Sequence, residues 1–173
     1  MPDPLRLVVH KRLAGLLETV VAPSLSGPGT PMAGRVYRGR GVFGVEISPP
    51  AISILESPLP EDGPPSPLDS PVGETIWELV IQGWVVDDRL NPTDPAHRIM
   101  AEVKRVLALE KMKAQPRSGD PADGILGLGR SITAMYIGPG VVRPPDELNR
   151  NAYFWLTLGL DFNENMADPY VIE

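Results

Sequence analysis

The sequence predicts an α+β fold: a mainly antiparallel β-sheet with two α-helices packed on one face and long proline-rich loops. Three observations predict it. Two segments carry apolar residues at helical spacing, each behind an Asp-Pro pair. Four others read as strands, and 21 prolines among 173 residues gather between these elements, more than twice the usual share of roughly 5%. With 42% hydrophobic residues at this length, a single domain spanning residues 1–173 can bury a genuine core.

The first helix is expected over 4–22. Leu5, Val9, Leu13, Leu16, Leu17, Val20 and Val21 form one broad apolar face, and Pro23 stops it. The second is expected over 95–114, with Ile99, Met100, Val103, Val106, Leu107 and Met112 at helical spacing. Lys111 and Lys113 suit its C-terminal end. In Asp3-Pro4 and Asp94-Pro95 the aspartate is expected to cap the helix and the proline to occupy the first helical position, where its missing N–H costs nothing.

Period-two alternation marks the strands. In 75–86 the residues Trp77, Leu79, Ile81 and Val85 form an apolar face, and the other face mixes Glu78 and Gln82 with Ile76, Val80, Trp84 and Val86. In 152–162 the residues Ala152, Phe154, Leu156, Leu158, Leu160 and Phe162 point one way, Tyr153, Trp155, Thr157, Gly159 and Asp161 the other. Shorter strands fit 51–56 and 131–137, the latter followed by a turn at Gly138-Pro139-Gly140. The loops at 23–34 and 57–73 are too long to be simple connectors, and loops of that kind are usually functional or disordered.

The net charge of −6 is unevenly distributed: residues 1–45 carry +4, 46–94 carry −9, 95–130 carry +3 and 131–173 carry −4. Such blocks suit subunits that meet through unlike patches, although solvated surface explains them equally well. The absence of cysteine excludes disulfides and thiolate metal sites and fits a reducing cytoplasm. No apolar run approaches the ~20 residues needed to cross a bilayer, and the amphipathic start is unlike a signal peptide, so no membrane association is expected.

Motifs for catalysis fail on context. Gly39-Arg40-Gly41-Val42-Phe43-Gly44 matches G-x-G-x-x-G, but Pro49-Pro50 follows closely and leaves no room for the helix that a dinucleotide site requires. His10 and His97 lie on different helices, without a partner at metal-ligand spacing. Glu61-Asp62, Asp87-Asp88 and Asp146-Glu147 are sequence neighbours that cannot face each other across a substrate. No active site, metal or cofactor is therefore expected.

Two groups of residues invite a binding role. Arg35, Arg38 and Arg40 surround Tyr37 in a glycine-punctuated segment. Phosphate contact is open to them, but the acidic chain, with a pI near 5.0, favours carboxylate partners within the fold or on a neighbouring subunit. Tyr153 and Trp155, with Trp84 on the mixed face of its strand, are large aromatics on an outward sheet face. Either a loop covers them or a subunit contact buries them.

Several segments in order resemble the tail terminator, or tail completion, family of long-tailed bacteriophages. They are Arg35-Val36-Tyr37-Arg38-Gly39-Arg40, Pro50 to Glu56, Trp77 to Trp84 with Asp87-Asp88, the helix Ala96 to Leu107, Val141 to Glu147, and Ala152 to Leu156. The resemblance spans nearly the whole chain and lies in the order of the pieces. It implies an α+β subunit of a homo-oligomeric ring, a hexamer, located in the virion at the tail–neck junction after assembly in the host cytoplasm. Such a ring caps the tail tube protein, halts its polymerisation and joins the neck or head completion proteins.

On that resemblance Arg35, Arg38 and Arg40 lie near a subunit or tube contact, and Trp84, Tyr153 and Trp155 pack between neighbours. DNA would pass through the ring without sequence-specific binding. An acidic lumen suits that passage, since affinity for DNA comes chiefly from lysine and arginine on phosphates. Glu61, Asp62 and Asp69 in the 57–73 loop are the candidate lumen-facing carboxylates. That loop, with six prolines, departs from a compact terminator and reads as a tube-facing or lumen-facing extension, or as a mobile loop. Two alternatives stand beside this one: another head–tail connector, such as a neck or stopper subunit, and a small cytoplasmic α+β enzyme or ligand-binding domain.

Overall fold

A computed structural model describes residues 2–23, 28–44, 46–57, 72–113, 123–146, 150–170 and 172. Helix α1 spans Leu5–Leu17 and α2 spans Asp94–Lys111. The strands are β1 (Val21–Ala22), β2 (Thr30–Pro31), β3 (Val36–Arg38), β4 (Ala51–Glu56), β5 (Val72–Val85), β6 (Ile132–Arg143) and β7 (Ala152–Asn165). The first two form a small antiparallel pair, and the others form one sheet in the order β3-β4-β5-β7-β6. Every pairing in that sheet is antiparallel except β3 with β4. The fold is α+β with an antiparallel-dominant sheet and two helices.

The centre of the sheet is the β5–β7 ladder, which runs without a break from Val72↔Asn165 to Val85↔Ala152. Its register places Leu79 opposite Leu158 and Ile81 opposite Leu156, so the apolar sets of the two strands share one face. Strand β4 extends that face with Ile52 and Ile54. Phe154, Leu156, Leu158, Leu160 and Phe162 are all fully buried, each contributing about 1.5–3 kcal/mol of burial. Leu5, Val9, Leu13 and Leu17 of α1 and Ile99, Val103 and Leu107 of α2 join them in one core cluster.

Several local features differ from the sequence expectation. Helix α1 ends at Leu17, short of Pro23. The β-branched run Thr19-Val20-Val21 disfavours helix, and the Met32 amide donates to the Val20 carbonyl as the chain enters β1. Neither aspartate caps its helix. Pro4 occupies the cap position of α1, while Asp3 pairs with Lys11. Thr93 occupies that of α2, which places Asp94 inside the first turn, where its charge still favours the helix dipole. At the start of α1, the Leu5 amide finds its acceptor in the Pro169 carbonyl, 2.7 Å away.

Strand β6 is the largest departure. It runs straight through Gly138-Pro139-Gly140, where a turn is expected, with a register shift between Ile137 and Gly140. Proline is tolerated there because β6 is an edge strand and the shift is a bulge, so no ladder donor is lost. Strand β5 begins at Val72, earlier than its alternation indicates, which shortens the loop expected at 57–73. Residues 58–71, and with them Glu61, Asp62 and Asp69, lie outside the described residues.

Glycines shape two tight places. After α2, Gly124, Gly127 and Gly129 take positive φ, as does Leu126 at 57°. Buried Glu110 holds this turn by accepting from the Leu126 amide at 2.7 Å while pairing with Lys113. Within β5, Gly83 lies where any Cβ would overlap the Phe154 ring. Gly83→Ala is expected to destabilise the protein by about 1–3 kcal/mol in urea denaturation, through overpacking. Trimming the ring in Gly83→Ala/Phe154→Leu should recover part of that loss, because the two sites share one contact.

Candidate subunit interface

The sheet has a second face, opposite the helices. Alternation places Ile76, Glu78, Val80, Gln82 and Trp84 of β5 there, beside Tyr153, Trp155, Thr157, Gly159 and Asp161 of β7. Across β6 the same face carries Ala134, Tyr136, Val141 and Arg143, through the pairs Ala134↔Asp161, Tyr136↔Gly159, Val141↔Trp155 and Arg143↔Tyr153. Four apolar or aromatic side chains on it are strongly exposed: Ile76 at 52%, Tyr136 at 48%, Val141 at 45% and Trp155 at 42%. They span three adjacent strands and form one patch.

One end of this face is covered by the chain itself. The loop after β3 lays Phe43 against Trp84 edge-on, with ring centroids 4.1 Å apart, and leaves Trp84 only 5% exposed. Tyr37 also meets Phe43 edge-on at 5.2 Å, and the Arg40 guanidinium lies over both Tyr37 and Phe43. Arg40 also pairs with Glu46 at 2.9 Å. Hydrogen bonding to its own backbone amide, and then to Arg40, holds the Glu46 carboxyl below the usual carboxylate range. Arg35 closes the base of the loop by donating to the carbonyls of Ser48 and Pro50.

The three arginines thus part company. Arg35 and Arg40 fasten their own loop, while Arg38 is exposed, makes no ion pair among the described residues and lies on the helix side of β3. There it borders a 490 Å³ groove with Leu7, His10, Val36, Ile54 and Glu56. His10 donates through Nε2 to the Glu56 carboxylate at 3.3 Å, meets Trp77 edge-on, and leaves Nδ1 buried without a partner among the described residues.

The aromatics part company as well. Tyr153 is 9% exposed and donates its hydroxyl to Asp146 at 2.8 Å, which ties down the segment after β6. Trp155 stands beside it at 5.3 Å and remains open. Of the three aromatics singled out in the sequence, only Trp155 offers free surface. Phe43, the cover of Trp84, is not evident from the sequence because it reaches the sheet from a loop.

At the other end of the face lies a hollow of 470 Å³, lined by Ile76, Glu78, Tyr136, Gly138, Pro139, Thr157 and Gly159. Its floor is open because Gly159 has no side chain between Ile76 and Tyr136. Thr157 fixes its rim by donating to the Pro139 carbonyl at 3.1 Å. Glu78 and Asp161 make no ion pair among the described residues, so the hollow is apolar in its middle and acidic at its edge. The part of the sequence signal that could have located it is the apolar content of the mixed face of β5; the bulge at Gly138-Pro139 was hidden behind turn residues.

Among the described residues no group of three or more histidines and carboxylates could hold a metal ion, and no helix is long and apolar enough to cross a membrane. The glycine match at 39–44 is followed by no helix. No protein-family model matches the chain, and no curated protein matches it.

Two outcomes follow from this geometry. Phe43→Ala should uncover Trp84, move tryptophan emission to longer wavelength and lower stability by about 1–3 kcal/mol. Hydrogen bonding to Asp146 raises the Tyr153 pKa above that of an ordinary tyrosine, with burial adding to it. The stabilisation is therefore complete below pH ~10, the unfolded value, and is lost as pH climbs through the raised folded value. Difference absorbance at 295 nm between the wild type and Tyr153→Phe should show this late titration, and Asp146→Asn should bring it earlier.

Proposed function

We propose that this chain is a structural subunit that assembles into a ring, a hexamer, on the tail tube of a long-tailed bacteriophage. The ring stops tube polymerisation and presents the surface to which the neck attaches, with the DNA path through its middle. The observation that carries the reading is the bare sheet face, where Ile76, Tyr136, Val141 and Trp155 stand exposed across three strands. Isolated exposed apolar residues need no explanation, but a contiguous patch on a sheet marks an interaction surface. The ordered resemblance of the segments from Arg35 to Leu156 gives that surface its setting.

A ring needs one patch to meet a different patch around a closed circle. The segregated charge of the chain, +4 over residues 1–45 and −9 over 46–94, supports that kind of contact. A neck or stopper subunit would share the bare face, and tube binding separates the two readings.

Native mass spectrometry of the purified protein should give a closed oligomer, either alone or on addition of tail tubes. Negative-stain images should then show tubes capped at one end, with further growth arrested. Tubes that elongate unchanged in an excess of the protein, with no density at their ends, would overturn the terminator reading.

A further inference from the structure

The hollow on the bare face and one unexplained feature of the helical layer are complementary. The last turn of α2 exposes two apolar side chains, Leu109 at 55% and Met112 at 82%. They lie three residues apart and so share one side of the helix end. Between them in sequence stands Lys111, which is exposed and makes no ion pair among the described residues. The adjacent Glu110 is committed elsewhere, to Lys113 and the Leu126 amide.

On the other side of the sheet the hollow offers the reverse. Ile76, Tyr136 and Pro139 form apolar walls, Glu78 lines the hollow and Asp161 lies opposite Ile76 on the same face, and neither carboxylate has an ion-pair partner among the described residues. Methionine is unbranched and adapts to an irregular gap of this kind. One molecule cannot bring the two together, because α2 packs on the inner face of the sheet and the hollow opens on the outer face.

We propose that the C-terminal turn of α2, through Leu109, Lys111 and Met112, docks in the Ile76–Tyr136–Gly159 hollow of a second copy of this chain. Met112 and Leu109 fill the apolar middle, and Lys111 meets Glu78 and Asp161. Each copy then offers one knob and one hollow, so the contact is heterologous and propagates from copy to copy until it closes. This deepens the ring reading by naming how the copies join, and it rests on that reading.

The test uses two variants of the full chain. Gly159→Val fills the hollow from its floor; its Cβ meets Ile76 and Tyr136 at 3.5 Å, an ordinary contact, and its two further methyl groups occupy the hollow itself. Met112→Asp spoils the knob. Each alone should abolish the oligomer in native mass spectrometry, or raise the concentration for half-assembly at least about tenfold, with unchanged far-UV circular dichroism. Mixed together they should form a dimer and nothing larger, since one intact knob meets one intact hollow. Loss of folding cannot produce that result. Lys111→Glu and Glu78→Lys should each weaken assembly, and the double variant should restore it.

Wild-type rings that persist in both variants would overturn the contact while leaving the ring reading intact. Variants that keep their rings but lose tube capping would show that the hollow takes the tube protein, which also overturns a second copy as its occupant. A wild-type chain that stays monomeric at all concentrations and with tubes present would overturn the contact and the ring together.

Discussion

The ladder between β5 and β7 is the constraint on which the rest of the molecule depends. Both strands are long, both alternate, and their register brings two apolar sets onto the same side without a break. A slip by one residue would turn the buried row from Phe154 to Phe162 out to solvent and bring Trp155 and Asp161 into the core. Everything else is placed relative to that row. The helices cover it, β4 and β6 widen it, and the opposite side of the same two strands becomes the bare face. The core and the proposed interface are therefore one feature seen from two sides.

Period and composition made much of this legible. The clean alternation in 152–162 and the helical spacing in 95–114 identify their elements because a single buried face dominates each of them. The misreadings came where a local signal was overruled by a partner distant in sequence. Gly138-Pro139-Gly140 has the chemistry of a turn, yet β7 offers it a ladder to continue along, and an edge bulge absorbs the proline. The end of α1 looks helical by its apolar spacing, but Val20 is held by Met32 from the next segment. Both aspartates have the right neighbours for capping, and neither is at the cap.

The outward face was legible in kind and less so in detail. Alternation assigned Tyr153, Trp155 and Trp84 to it correctly, because parity in a strand survives small errors at its ends. Which of them is covered depends on side chains from elsewhere. Phe43 closes over Trp84, and Asp146 takes the hydroxyl of Tyr153. The arginines followed the same pattern: a basic, glycine-rich loop looked outward-directed, while Arg35 and Arg40 spend their donors on the loop's own carbonyls and on Glu46. A strand's two faces can be read from one segment, whereas a loop's contacts belong to whatever it folds over.

The place of β7 has a consequence in time. It follows β6 in the chain, yet it lies between β5 and β6 in the sheet. Until the ribosome has made it, β6 has no neighbour to pair with, and β5 carries an open edge. The nascent chain thus holds both helices and most strands before the piece that joins them exists, and closure depends on contacts distant in sequence, which form slowly. For the proposed ring subunit, this order has a use. The bare face and its hollow come into being only with β7, so the proposed surface for assembly does not exist before that strand is made.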